Sequence, residues 1–451
     1  GRRMNEYALC VAEDLRRRYA HEPEYLQAVL AWLELIDPAL GENPEYERLD
    51  LLARMVEPDR IVTFLVPWVD DQGRTHTNHG YRVQFSNALG PYKGGLRFQP
   101  GVNLSVVKFL GFEQTYKNAL IGLPVGGAAG GADFDPRGRS RREVMRFCQS
   151  FMTGLYRYVG ADTDVPAGDI GVGDREIGYL YGAYKRLTGR AERGALTGKG
   201  VTYGGSKVRQ EAAGYGAVYF LCRMLERQGE TLEGKRLVIS GFGNTAWGVC
   251  RKAAQLGGKV VTLSGPDGYV YDPDGVCAQE KFDFMAEMRA GGEDRVEPYA
   301  LRFGLEFFPG RKPWEVPGDI VMPCATQNEI AVEDAVRILV NRVGYYVEAA
   351  NMPATPDALR LLRLSPDILV AGAKASGAGG VAVSALEMVQ NSLRYSWPRK
   401  QVEERLRQIM ADIHDVSAAA AGAYGLGYDL IAGNDIASFQ KVSQAMMAQG
   451  L

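Results

Sequence analysis

Gly234-Lys235-Arg236-Leu237-Val238-Ile239-Ser240-Gly241-Phe242-Gly243-Asn244-Thr245-Ala246 decides how this chain folds. A short apolar strand runs into a Gly-x-Gly-x-x-Ala turn, and the periodicity from Trp247 to Leu256 predicts a helix. A second apolar run, Lys259 to Ser264, follows. Strand, turn, helix and strand in this order open a parallel α/β sheet. In such a unit Gly241 permits the tight turn, Gly243 lets the backbone approach a pyrophosphate, and Ala246 is small enough for close helix–strand packing. The helix start adds N–H donors and a positive dipole end. The plain alternative is a structural glycine turn in some other α/β sheet, and the strand-to-helix context argues against it. Asp267 stands about 20 residues past the glycines, where an acid holds the ribose hydroxyls and repels a 2′-phosphate. No Arg or Lys lies within Thr262 to Asp272, so NAD is favoured over NADP.

Working outward, later apolar strands at Asp319 to Met322, Tyr345 to Glu348 and Ile368 to Ala371 fit the same sheet, and the last ~60 residues return to helix. Upstream, the first ~60 residues have helical spacing. Arg60 to Val69 and Gly80 to Phe85 read as a hairpin around Asp70-Asp71-Gln72-Gly73. Asn103 to Leu120 and Glu143 to Tyr158 read as helices, with a glycine-rich loop, Pro124 to Gly131, between them. A turn-rich loop spans Asp164 to Gly173. The architecture expected is α/β in two domains with a cleft between. An α/β substrate domain (1–203, completed by a C-terminal helix, 428–451) joins a Rossmann-type dinucleotide-binding domain (204–427).

Composition narrows the partners. A net charge of −2 in 451 residues gives no field for nucleic acid or anionic lipid. No apolar run reaches the ~18 residues of a membrane span. The six cysteines show no Cys-x-x-Cys spacing and there are only four histidines, so no disulfide scaffold and no metal site are expected. Free thiols fit a cytoplasmic protein. Gly1-Arg2-Arg3 before Met4 reads as an expression scar.

Lys93 in Gly90-Pro91-Tyr92-Lys93-Gly94-Gly95-Leu96-Arg97-Phe98, Lys117 in Phe112 to Asn118, and Asp169 beside Gly168 put two cations and an acid near glycine-rich segments. That set suits a small dicarboxylate or amino acid plus a proton carrier. Arg97 reads as a structural partner for a carboxylate. These runs, with Asp133-Phe134-Asp135-Pro136, Arg142 to Phe151, Gly214-Tyr215-Gly216, Pro323 to Asn328, Asn351-Met352-Pro353 and Ala378 to Ser384, resemble the hexameric bacterial glutamate dehydrogenases. The resemblance extends from about Pro44 to Gln449, and Thr262 to Tyr269 with Phe242 resembles the NAD-specific members. It implies a homohexamer whose cleft closes during turnover. Lys93 and Ser384 would bind the side-chain carboxylate, with Thr197 and Val381 lining the pocket. Lys117 and Gln114 would hold the α-carboxylate, Gly168 would face the amino group and Asp169 would shuttle the proton. Ala213, Gly241, Phe242, Gly243, Asn244, Ala246, Pro266, Asp267, Ala325, Thr326 and Asn351 would surround the cofactor.

The chain departs from that family at the reacting centre. Gly126-Gly127-Ala128-Ala129-Gly130-Gly131 has Ala129 where the family keeps its catalytic lysine, and alanine can neither carry a proton nor activate water. Ala213 lacks a hydroxyl expected near the nicotinamide amide, and Gly377 lacks an amide expected beside substrate and nicotinamide. Gln99, Ala132, Gln210 and Gly372 are lesser departures. Three readings follow. One is a glutamate dehydrogenase, converting L-glutamate to 2-oxoglutarate and ammonia, with weakened activity. The second is a redox enzyme on an N-substituted glutamate-like substrate. The third is a non-catalytic nucleotide-binding paralogue.

Overall fold

The computed structural model describes residues 4–450; Gly1 to Arg3 lie outside the described residues. The chain divides into two compact units. The first comprises Gly1–Lys207, Ser384–Arg399 and Asp435–Leu451, and the second Val208–Val383 and Lys400–Asn434. The expected partition put 384–399 and 428–434 in the other domain from these units, and its first boundary four residues earlier. Long-range packing decides membership here, and local pattern carries no trace of it.

The first unit holds a mixed five-stranded sheet made of β1 (Arg60–Val69), β2 (Thr75–Ser86), β3 (Tyr92–Phe98), β4 (Gly127–Ala132) and β5 (Asp164–Gly168), in the order β1-β2-β4-β3-β5. β1 and β2 form the expected hairpin, with Trp68 opposite His76. Its turn is fixed by Asp70, whose Oδ1 accepts the N–H groups of Gln72 and Arg74, both at 2.9 Å. The second strand starts earlier than its apolar half predicts, because Thr75 to His79 pairs with β1 while staying largely out of the core. Helices Arg141–Leu155 and Asp174–Thr188 pack on one face, where Phe98, Phe134, Phe147 and Phe151 form the core.

The glycine-rich segment after Pro124 differs from the expected loop. Its second half is β4, wholly buried and central in the sheet, antiparallel to β2 and parallel to β3. Glycine is what lets it lie there. A Cβ on Gly94 would stand 1.6 Å from Ala128 O, and one on Gly127 would stand 2.1 Å from Thr115 Oγ1 of the helix Leu104–Asn118. The turn-rich segment from Asp164 likewise begins as a strand, β5, parallel to β3.

The second unit is built on a parallel sheet of β6 (Arg236–Ile239), β7 (Lys259–Val260), β11 (Ile320–Met322), β12 (Tyr345–Val347) and β13 (Leu369–Ala371), ordered β13-β12-β11-β6-β7. The run from Lys259 splits at Val261. Its second half, β8 (Thr262–Gly265), joins β9 (Gly268–Tyr271) and β10 (Glu306–Pro309) in a separate antiparallel sheet. The core of this unit gathers Val238, Val321, Tyr346 and Trp314.

Candidate active site

In the first unit β3 carries Lys93 into the interior, 2 % exposed. Its Nζ donates to Val165 O at 3.1 Å and to Thr197 Oγ1 at 2.6 Å, and Thr197 Oγ1 lies 2.5 Å from Ser384 Oγ. Three residues distant in sequence, Lys93, Thr197 and Ser384, thus form one hydrogen-bonded cluster. Burial pushes the Lys93 ammonium down to about 7; Glu387 and Asp164 oppose the fall, and Arg82 and Lys199 add to it. Two buried ion pairs brace the cluster. Arg82 and Asp164, both fully buried, meet at 2.6 Å, and Arg82 also donates to Gly94 O and Gly95 O. Lys199 and Glu387 meet at 2.8 Å, and the same carboxylate accepts the N–H groups of Gly198 and Ser206. The sequence reading missed Lys199 and Glu387. The signal was a lone acid in the apolar run Val383 to Val389, since an acid buried there requires a cation.

Gln114 and Lys117 sit on the helix Leu104–Asn118, which Asn103 caps through Val106 N–H at 3.0 Å. Gln114 Nε2 donates to Asn118 Oδ1 at 2.5 Å. Asn118, also missed, ties this helix to Lys93 O at 3.0 Å and Gly126 O at 2.6 Å. It therefore registers the helix, β3 and the entrance to β4 against one another. Ala129 is 3 % exposed in β4, opposite Val83. Gly168 closes β5, and Asp169 follows it with about a third of its side chain exposed. Arg97 Nε donates to Asp169 Oδ2 at 3.1 Å, so the carboxylate partner expected for Arg97 is Asp169.

In the second unit the Gly241 turn stands at the end of β6 and opens the helix Asn244–Gln255. Gly241 has φ +82°, the left-handed region that glycine enters freely, and its N–H donates to Ser264 Oγ at 2.8 Å. Nothing lies within 4 Å of where a Gly243 Cβ would be, and no side chain caps the helix. The helix start is therefore uncapped by any side chain and the turn at Gly243 is open, at the carboxyl end of a parallel sheet, as a diphosphate requires. Asn244 is exposed and Ala246 fully buried. Phe242 flanks Gly265, and Pro266 and Asp267 form the β8–β9 turn. Both oxygens of Asp267 are engaged: Val296 N–H at 2.9 Å and Glu297 N–H at 3.0 Å, at the start of the helix Glu297–Phe303. That helix-capping contact was not foreseen. Ala325 and Thr326 lie on the loop after β11, where the Thr326 N–H donates to Glu329 Oε2 at 2.6 Å. Ser240 Oγ also donates to Glu329 and accepts from Cys324 N–H at 3.0 Å. Asn351 is exposed beyond β12. Ala213 is in the first turn of the helix Ala212–Arg227, Gly377 ends the helix Ala373–Ser376, and Val381 is in the helix Gly379–Leu393. No helix among the described residues is long and apolar enough to cross a membrane, and no cluster of metal-ligating side chains occurs among them.

Two family models match the chain. The Glutamate/Leucine/Phenylalanine/Valine dehydrogenase model covers residues 204–450, and the dimerisation domain of the same dehydrogenases covers 58–186. The chain is 56% identical over 448 residues to the NAD-specific glutamate dehydrogenase of Clostridium symbiosum, covering 99% of this chain and 100% of that one. It is 50% identical over 443 residues to the NADP-specific glutamate dehydrogenase of Psychrobacter sp., covering 97% and 98%. A solved structure of a glutamate dehydrogenase superposes with a TM-score of 0.97 at 56% identity, over 99% of this chain and 100% of that one.

Proposed function

Because the chain belongs to the glutamate/leucine/phenylalanine/valine dehydrogenase family, among its bacterial glutamate dehydrogenases, we propose that it is a nicotinamide-dinucleotide oxidoreductase of glutamate-like dicarboxylates. The observation that carries the reading is the buried Lys93–Thr197–Ser384 cluster, a preformed cationic socket for a carboxylate. Lys93 and Ser384 bind the distal carboxylate, with Thr197 and Val381 lining the socket. Lys117 and Gln114 hold the α-carboxylate, Gly168 receives the amino group, and Asp169, oriented by Arg97, carries the proton. The nicotinamide accepts or returns the hydride. The cofactor is held by the Gly241 to Ala246 turn, with Ala213, Pro266, Ala325, Thr326 and Asn351 around it. We assign NAD ahead of NADP, because an acid, Asp267, stands at the β8–β9 turn where a 2′-phosphate would have to lie, and its two backbone N–H contacts hold it there. The assembly proposed is a homohexamer in the cytoplasm.

Ala129 sets the rate. Oxidising the amine to an imine needs hydride removal and one proton acceptor, and Asp169 can serve. Hydrolysing the imine to 2-oxoglutarate and ammonia needs an activated water, and position 129 offers no base. Glutamate turnover is therefore expected to fall by ~10²–10⁴-fold relative to an enzyme with the lysine. A second reading is favoured by the pattern of change. The carboxylate-binding groups are all present, while three positions assigned to the reacting centre, Ala129, Ala213 and Gly377, carry smaller residues than the family's. Reduction of a preformed imine of a glutamate-like substrate carrying a substituent on nitrogen needs only hydride and the Asp169 proton. The test compares NADH oxidation in 2-oxoglutarate with ammonia against 2-oxoglutarate with methylamine. Faster turnover with methylamine supports the second reading, and slow ammonia turnover that Ala129→Lys accelerates supports the first. NADH binding without turnover on either leaves the chain a nucleotide-binding paralogue.

A further inference from the structure

Glu348 is an acid that nothing in the proposed chemistry uses, and it is 4 % exposed. It follows β12 at the carboxyl end of the parallel sheet, the edge at which dinucleotides bind in such folds. Its Oε1 accepts from Ala373 N–H at 3.0 Å, and its Oε2 accepts from the Tyr346 hydroxyl at 2.8 Å. Its main chain is knotted to the same segment: Glu348 N–H donates to Ala371 O at 3.1 Å, and Ser376 Oγ donates to Glu348 O at 2.5 Å and to Gly372 O at 3.0 Å. The short helix Ala373–Ser376 is thus tied to one residue at both ends. It delivers Gly377, whose N–H donates to Ala373 O at 2.8 Å. On the other side, Ala349 and Ala350 donate to Pro323 O and so fix the approach to Asn351.

We propose that Glu348 is a positioning residue that holds the Gly372–Ala378 segment and the Asn351 loop in the arrangement that binds the nicotinamide dinucleotide. This rests on the functional reading above. Ionised, the carboxylate satisfies two donors at once. Protonated on Oε2, it donates to the Tyr346 hydroxyl instead of accepting from it, and Oε1 holds the Ala373 N–H only as a neutral carbonyl, so the charge-assisted tether of the Gly372–Ala378 segment weakens. Burial pushes the Glu348 carboxyl up to about 7, opposed by the two hydrogen bonds. No charged side chain shifts it. The neighbouring ionisable groups are Tyr346 beside it, raised by burial and by Glu348 and Glu329, and Lys374 on the short helix. Because the carboxyl is raised, the binding-competent ionised form is lost as pH falls through about 7.

The test is NADH titration of the whole protein from pH 6 to pH 9, with amide hydrogen exchange of residues 372–378 in the free protein. Wild-type affinity should fall about tenfold from pH 8 to pH 6. Glu348→Gln should bind about tenfold more weakly at pH 8, without that pH dependence, and lose protection at Ala373 to Gly377. Tyr346→Phe removes one donor and leaves the carboxylate in place, so it should move the midpoint of the profile to higher pH. A flat wild-type profile, or the same profile and protection in Glu348→Gln, overturns the proposal with NADH binding intact. Absence of NADH binding to the wild type at every pH overturns both this proposal and the functional reading.

Discussion

Replacing Lys93 by methionine should stabilise the protein while abolishing carboxylate binding. The side chain is 2 % exposed, and burial takes its ammonium from the ordinary 10.5 to about 7. At 1.36 kcal/mol per pKa unit, keeping this lysine in the fold at pH 7 costs roughly 4–5 kcal/mol relative to a lysine in water. Methionine removes that cost and leaves Val165 O without its donor, a penalty of about 1–3 kcal/mol. A net gain of roughly 1–4 kcal/mol is expected at pH 7. The sign with pH follows from linkage. The folded pKa lies below the unfolded one, so between about 7 and 10.5 the unfolded state holds more protons and wild-type stability rises with pH. The advantage of the variant should therefore shrink by about 1 kcal/mol per pH unit between pH 8 and pH 10. Urea unfolding at several pH values and one protein concentration measures it, because assembly adds a concentration-dependent term. Calorimetry with 2-oxoglutarate reads the lost binding. A variant less stable than wild type at pH 7, or a gap that does not change with pH, refutes the account of this socket.

Three other substitutions probe separate parts of the argument. Glu387→Gln leaves Lys199 buried without its counter-charge and should cost about 3–5 kcal/mol in urea unfolding; a loss under about 1 kcal/mol would mean water reaches the pair. Asp267→Asn should weaken the start of the helix Glu297–Phe303 by about 1 kcal/mol and raise the affinity for NADP relative to NAD in calorimetry. An unchanged ratio would reduce Asp267 to a helix cap. Gly377→Asn places a Cβ 2.5 Å from Ala373 O, a backbone atom, so the chain must shift at a cost of about 1–3 kcal/mol and a melting temperature several degrees lower. An unaltered melting temperature would show that this turn yields freely.

What the sequence made legible followed from local rules. The Gly241 turn stands where strand-to-helix context requires it, and the hairpin turns on an aspartate whose side chain closes it. The segment Gly126 to Gly131 was opaque because it has no apolar periodicity; its strand exists because neighbours press against glycines that have nothing to clash. The Val261 break was hidden for the opposite reason. Apolar residues continue across it, and only pairing partners reveal that the chain changes sheets. At the candidate site, the residues whose roles come from the resemblance were named, whereas those that brace them, Asn118, Lys199, Glu387 and Glu348, were not. Each makes contacts far away in sequence, and only Glu387, a lone acid in an apolar run, carries a local sign of its role.

The losses at Ala129 and Gly377 are unlike in kind. At Ala129 a small side chain replaces a long one inside a strand whose pairing to β2 and β3 is regular, so restoring lysine asks the backbone for no new conformation. At Gly377 the Ala373 carbonyl oxygen stands 2.5 Å from where a Cβ would be, so a side chain there requires the backbone to shift. The binding half of the site tells the other side. A fully buried lysine held near 7 is a standing cost to stability, and a hydrophobic residue there would relieve it at once. Its presence beside Thr197 and Ser384, with two buried ion pairs arranged behind it, is intelligible as carboxylate recognition and has no packing rationale. Under the proposed reading, physical economy separates the two halves: a buried lysine is kept at a cost where a carboxylate would bind, while position 129, where a base would activate water, holds an alanine. That combination fits reduction of a ready-made imine better than hydrolysis of one, since the first reaction needs the socket and a proton and the second also needs the base.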